Sequence, residues 1–257
     1  MQLEKVEQMY DNLQEDEHVL HMWAPLSLEI DEQYEYVKNG WGFELFSNAL
    51  YLIAIPVLFV LNKIVFGFEV EGRENIEKVE GGKITVSNHV HPMDCTMNAL
   101  INLPEKTYFP TLKANFEIPV VRHLIRLLNA VPIPNEMSNK KEFLKTMQGL
   151  LKEGKTIHLY PEVSLWPYYE KVRKFKKGAF ILAIENNVPI VPIVYLFEKP
   201  QGIYEIFKSK PVIKAKVLEP IYPDDRLEKR EAIEKLKDQV HRAMEDEIEK
   251  AKIKKQA

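Results

Sequence analysis

Residues 83–94 read KITVSNHVHPMD, an apolar strand running directly into a polar loop with two histidines and an aspartate. In α/β folds the loops at strand ends collect functional groups, so this junction suggests both an architecture and a place to look for chemistry. The surrounding chain repeats the pattern. FEVEG (68–72) reads as a strand, set apart from KITVSN by a turn at Gly81-Gly82. Downstream, residues 96–102 read as helix, 107–112 (TYFPTL) as strand, 118–128 as helix and 130–133 (AVPI) as strand. An amphipathic helix over 140–152, a strand over 156–160, a helix over 177–186 and strands over 189–196 and 211–218 follow. The Glu- and Lys-rich tail, 223 to about 254, has charges at i,i+4 spacing and reads as a solvated helix. Strands alternating with helices predict an α/β fold, a mixed β-sheet flanked by helices.

The chain has 257 residues, with 46% hydrophobic and 28% charged, enough for a real core and unlike a disordered or fibrous sequence. Its net charge of -3 argues against a nucleic-acid partner. Cys95 is the single cysteine, so no disulfide framework forms, and a reducing compartment fits best. The polar N-terminus, MQLEKVEQMYDNLQEDE, does not read as a signal peptide, and residues 1–40 read as a helical or irregular lead-in. Residues 45–62, LFSNALYLIAIPVLFVLN, carry no charge and are bracketed by Glu44 and Lys63, with Trp41, Phe43, Phe46 and Tyr51 as aromatics. This run is either a buried core helix or a helix that enters or lies on a membrane.

His89 and Asp94 can form a pair in which the carboxylate takes one ring N–H and leaves the other nitrogen as a base. His89 and His91 also resemble the opening of the His-x-His-x-Asp-His metal pattern of metallo-β-lactamases. Met93 adds a residue, however, and Cys95 stands at the last ligand position, so no metal is expected. Glu162, in LYPEVS (159–164), again just past a strand, is placed to orient a ligand or hold a loop. Five cations lie in 171–177: Lys171, Arg173, Lys174, Lys176 and Lys177. They suit a phosphate or an anionic membrane surface.

Four blocks in order resemble the glycerolipid acyltransferases typified by 1-acylglycerol-3-phosphate acyltransferase. They are Asn88-His89 through Asp94, KANFEIPVVRHLIRLLNAVPIP (113–134), Tyr160-Pro161-Glu162 with 173–179, and VPIVPI (188–193). The resemblance spans roughly residues 65–220. It implies transfer of a fatty acyl group from an acyl carrier protein or coenzyme A thioester to the sn-2 hydroxyl of 1-acylglycerol-3-phosphate. It implies His89 as general base, Asp94 as its orienter, and substrate binding by Lys113, Glu162 and Arg173, with the thioester as co-substrate and no further cofactor. It also favours the membrane reading of residues 45–62, with action at the cytoplasmic face, peripheral or monotopic. Two departures stand out. Asn135, and Leu165 within Val163-Ser164-Leu165, occupy positions where the family usually has arginines thought to hold the acceptor phosphate; the third block usually reads Gly-Thr-Arg. Lys113 and Arg173 are therefore expected to converge on His89 and Glu162 and meet the phosphate. The expected organisation is a membrane-associated segment (1–64), a catalytic α/β domain (65–222) and a charged C-terminal helix (223–257). The rival readings are a different lysolipid or glycerol acceptor, a thioesterase or lipid hydrolase, and a silent lipid-binding protein. A hydrolase with a serine nucleophile would need a Gly-x-Ser-x-Gly motif, which the chain lacks.

Overall fold

The structure, a computed structural model, describes residues 25–31, 33–136 and 139–256, together with Tyr10 and Leu13. Most of the expected lead-in therefore lies outside the described residues. Helix α1, Trp41–Phe66, is 26 residues long and extends the uncharged run at both ends. Pro56 sits inside it without ending it. Gly67 terminates it with φ 60, in the left-handed region, where a side chain would strike Val212.

The elements follow as β1 (Glu69–Glu71), α2 (Glu74–Glu77), β2 (Lys83–Ser87), α3 (Asp94–Ile101) and β3 (Thr107–Leu112). A 3-10 turn (Lys113–Glu117), α4 (Val121–Leu127), β4 (Ala130–Ile133), α5 (Lys140–Lys152) and β5 (Thr156–Leu159) continue the chain. Then come α6 (Gly178–Asn186), β6 (Ile190–Glu198), α7 (Ile203–Phe207), β7 (Val212–Val217) and α8 (Lys229–Gln256). The seven strands form one sheet in the order β1-β7-β6-β2-β5-β3-β4. All pairings are parallel except β6 with β7, so the sheet is mixed, as expected.

Core residues cover both faces of the sheet. Along β6, Val191, Ile193, Tyr195 and Phe197 face one cluster with Met97 and Ile101 of α3, while Ile190, Val194 and Leu196 face the other. That is the two-residue period of a strand buried on both sides. Helix α8 departs from the solvated reading. Ile233, Leu236, Val240, Met244 and Ile248 line one stripe and are buried in the second cluster, with the Glu and Lys residues distributed mainly outside it.

Two local features position the site. Strand β2 pairs with β5 in parallel, with Val86 opposite Leu159, so the loops leaving both strands emerge side by side. Helix α1 packs on α3 and α4. Near its start, Ser47 Oγ donates to Leu127 O at 2.8 Å; near its end, Asn62 Nδ2 donates to Thr96 Oγ1 at 3.2 Å. The helix thus runs along the domain toward the loop that carries His89.

Candidate active site

His89 and Glu162 each stand three residues beyond the paired Val86 and Leu159. The parallel register brings the two loops together, and the His89 backbone N–H donates to Glu162 Oε2 at 3.2 Å. His89 Nδ1 lies 2.7 Å from Asp94 Oδ2. Asp94 is fully buried at the first turn of α3, and its Oδ2 also accepts the Val90 N–H at 3.2 Å. Tyr160 Oη donates to Asp94 Oδ1 at 2.7 Å. Burial raises the Tyr160 pKa well above 10.0, with Asp94 adding to the effect, so the phenol stays protonated and donates.

The carboxylate has only acceptor sites, so the proton of the 2.7 Å contact sits on His89 Nδ1. Nε2 is then the lone-pair nitrogen, and it has no hydrogen-bond partner among the described residues. The His89 side chain is 20% exposed, against 1% for Asp94, so the free nitrogen is on the accessible side of the pair. Tyr160 stacks on the imidazole, with centroids 3.9 Å apart, and fixes its plane.

Behind this pair lies a buried polar layer. Asn98 Nδ2 is 3.2 Å from Tyr160 Oη and 2.9 Å from His158 Nε2, and His158 Nδ1 is 2.8 Å from Thr85 Oγ1. Burial lowers the His158 pKa to about 3, which keeps the ring neutral. His91 is also buried and lowered to about 4 by desolvation, and its Nδ1 accepts the Met93 N–H at 3.1 Å. Cys95 follows Asp94 on α3 and is exposed. The backbone N–H groups of His89, Val90, His91, Met93, Val163 and Ser164 are all used within these loops. None of them is left to hold an oxyanion.

Glu162 and Arg173 form a buried ion pair. Arg173 Nη2 donates to Glu162 Oε2 at 2.9 Å, the Arg173 N–H to Oε1 at 3.0 Å, and the residues are 2% and 5% exposed. The guanidinium also donates to Ser164 O and sits 4.4 Å from the Trp166 ring centroid. Arg173 therefore joins the network around His89, with its Nη2 committed to the loop that follows β5. Lys113 lies just past β3, two strands from β2 at the same edge of the sheet, roughly 10 Å away by strand spacing. Its Nζ is 3.9 Å from Glu117 Oε1. His89, Asp94, Glu162 and Arg173 are thus joined in one network, and Lys113 stands apart from it across the same sheet edge. Val163, where the family usually has glycine, keeps the left-handed conformation at φ 68.

Tyr160 and Asn98 are contributors that the sequence reading did not single out. Asn98 lies four residues after Asp94, one turn along the same helix face, and that spacing was legible. Tyr160 adjoins Pro161-Glu162 but is tied to Asp94 only through the β2–β5 pairing.

Comparisons with known proteins bear on the family and the fold. A chloroplastic 1-acyl-sn-glycerol-3-phosphate acyltransferase of Brassica napus is 28% identical over 50% of this chain and 37% of its own length. One from Arabidopsis thaliana is 27% identical over 51% of this chain and 36% of its own length. The chain thus matches little more than a third of these two curated relatives. The crystal structure of the 1-acyl-sn-glycerophosphate (LPA) acyltransferase PlsC from Thermotoga maritima superposes with a TM-score of 0.55. It is 25% identical, over 80% of this chain and 87% of that one. The family model described as Acyltransferase matches residues 67–196, just over half of the sequence and the segment that contains His89, Asp94, Glu162 and Arg173, and so this chain belongs to the acyltransferase family.

Proposed function

We propose that the protein transfers a fatty acyl group from an acyl thioester, of acyl carrier protein or coenzyme A, to the sn-2 hydroxyl of 1-acylglycerol-3-phosphate. The observation that carries this reading is His89, with Nδ1 held by Asp94 at 2.7 Å and Nε2 unpartnered on the accessible side. Nε2 accepts the proton of the acceptor hydroxyl as its oxygen attacks the thioester carbonyl. The tetrahedral adduct then expels the thiolate, and the imidazolium returns the proton to sulfur. Asp94 holds the ring orientation and stabilises the imidazolium. Glu162 and Arg173 act as positioning residues that fix the loop against the His89 backbone, and Lys113 is the cation open to the acceptor phosphate. His89→Ala should lower turnover on 1-acylglycerol-3-phosphate by about a hundred- to ten-thousand-fold with folding unchanged. Turnover near wild type would refute the assignment. Release of free fatty acid without acylated product would favour the hydrolase reading.

The same reading places the enzyme at the cytoplasmic face of a membrane, docked without spanning it. Support comes from α1, a helix of 26 residues containing an 18-residue stretch of mean hydropathy 2.2, long and apolar enough to cross a bilayer. Its contacts with the domain occur near both ends, at Ser47 and at Asn62, while Phe46, Leu52, Ile53, Val57 and Val60 are exposed. A helix lying along its own domain presents one apolar face to one leaflet. Helix α7 extends that face with exposed Ile203, Ile206 and Phe207, tied to α1 by Tyr204 Oη donating to Lys63 O at 2.6 Å. Leu52→Lys with Val57→Lys should abolish sedimentation with vesicles; unaltered sedimentation would refute docking through this face.

A further inference from the structure

A cavity lies at the opposite end of the sheet from His89. Lys106 and Lys155 immediately precede β3 and β5, so they stand at the N-terminal edge of the parallel strands, whereas His89 and Glu162 follow the C-terminal ends of β2 and β5. The cavity is about 280 Å³ and is lined by Lys38, Lys106, Arg126, Lys155 and Asn129, with Glu44 as the one carboxylate among its described lining residues. Among the described residues, none of the four cations forms an ion pair. Lys106 instead donates to Ser47 Oγ at 3.0 Å, and Arg126 donates to Tyr34 Oη and faces the Tyr34 and Phe116 rings. Burial lowers the pKa of both Lys106 and Arg126. Gathering four cations, two of them partly desolvated, around one cavity with a single carboxylate is unfavourable unless an anion enters.

A further observation points to a ligand. Asn129 is 9% exposed and lines the cavity, and its Nδ2 has no hydrogen-bond partner among the described residues. A buried amide donor left without an acceptor is unfavourable, and a phosphate oxygen reaching it would satisfy it. We propose that this cavity binds the phosphate group of an anionic ligand at a site separate from the His89 centre. Asn129 and Arg126 would donate to the phosphate oxygens, and Lys38, Lys106 and Lys155 would supply charge. The first turns of α1 form one wall through Phe43, Glu44, Ser47 and Asn48, so the cavity opens beside the apolar face already described. That placement suits a lipid headgroup as well as free phosphate. The lipid source rests on the membrane reading; the soluble source does not.

The test uses the full chain and a Lys38→Ala/Lys155→Ala variant, whose two lysines are exposed, so that folding is preserved. An Arg230→Ala/Lys250→Ala variant on α8 makes the same change in net charge away from the cavity. Two quantities are measured: the thermal midpoint in rising inorganic phosphate against matched chloride, and sedimentation with phosphatidylcholine vesicles with and without phosphatidate. The cavity variant should lose about tenfold or more in affinity for at least one probe, while the α8 variant keeps wild-type affinity. A response to phosphate that competes with phosphatidate vesicles identifies a site open to both sources. A preference for phosphatidate vesicles without a phosphate response identifies the headgroup, and a phosphate response alone identifies a soluble anion. Wild-type affinity of the cavity variant for both probes, or an equal loss in the α8 variant, overturns the proposal.

Discussion

Arg173→Ala separates two roles for this arginine, a phosphate ligand or a buried tie. Glu162 and Arg173 are 2% and 5% exposed and their charges are 2.9 Å apart, so deleting the guanidinium leaves a buried carboxylate without its counter-charge. Breaking one partner of a buried pair costs about 3–5 kcal/mol. For a chain of this size, each kcal/mol shifts the midpoint by about 2–4 °C, so the expected fall is roughly 6–20 °C. Loss of packing on Trp166, 4.4 Å from the guanidinium carbon, acts in the same direction. Near-ultraviolet circular dichroism of the full chain in detergent, followed against temperature and urea, measures this directly. Steady-state acylation should show a fall in kcat, because Glu162 also receives the His89 N–H, and the KM effect should be similar for charged and neutral acceptors. A Glu162→Gln/Arg173→Met variant should recover a large part of the lost stability, since no buried charge is then unpaired. If Arg173→Ala unfolds within about 1 kcal/mol of wild type and raises KM only for phosphate-bearing acceptors, the buried-tie reasoning is wrong.

Three further outcomes follow from the same loops. Val163→Gly should raise stability by about 0.5–1 kcal/mol. A side chain at φ 68 costs roughly 1–2 kcal/mol, glycine returns part of that as unfolded-state entropy, and thermal melting reads the difference. Tyr160→Phe removes the 2.7 Å bond to Asp94 but keeps the stacked ring, and should lower kcat/KM about ten- to a hundred-fold; an unchanged value would show that Asp94 needs no second donor. His158 is held neutral with its pKa depressed from 6.5 to about 3. The unfolded state therefore binds the proton first, and stability present above pH 6.5 falls progressively as pH drops toward 3. Urea midpoints measured down that range should fall less steeply in His158→Gln, and equal slopes would refute the assignment.

Local pattern was enough for most of the secondary structure. The strands 107–112 and 130–133 and the helix 140–152 were legible to the residue, because side-chain period and turn residues act over a few positions. The His89–Asp94 pair was legible for the same reason, as His89 on the loop and Asp94 at the start of the next helix lie close together after one strand. The short helices Glu74–Glu77 and Ile203–Phe207 carried too few residues for a period to register. Helix α8 had its apolar stripe in the sequence, but the dense Glu and Lys residues around it gave a solvated reading. Only the sheet order brought Val240 and Met244 against the core. The arrangement of the site depended on pairing between distant segments. Val86 opposite Leu159 joins Glu162 to the His89 backbone, brings Tyr160 to Asp94, and buries Arg173 in an ion pair that one cation among five neighbours could not reveal. The cationic cavity likewise collects Lys38, Lys106, Arg126 and Lys155 from four separated segments. Chain-local forces set which elements form; strand order and register, fixed by burial across the whole domain, set which side chains meet.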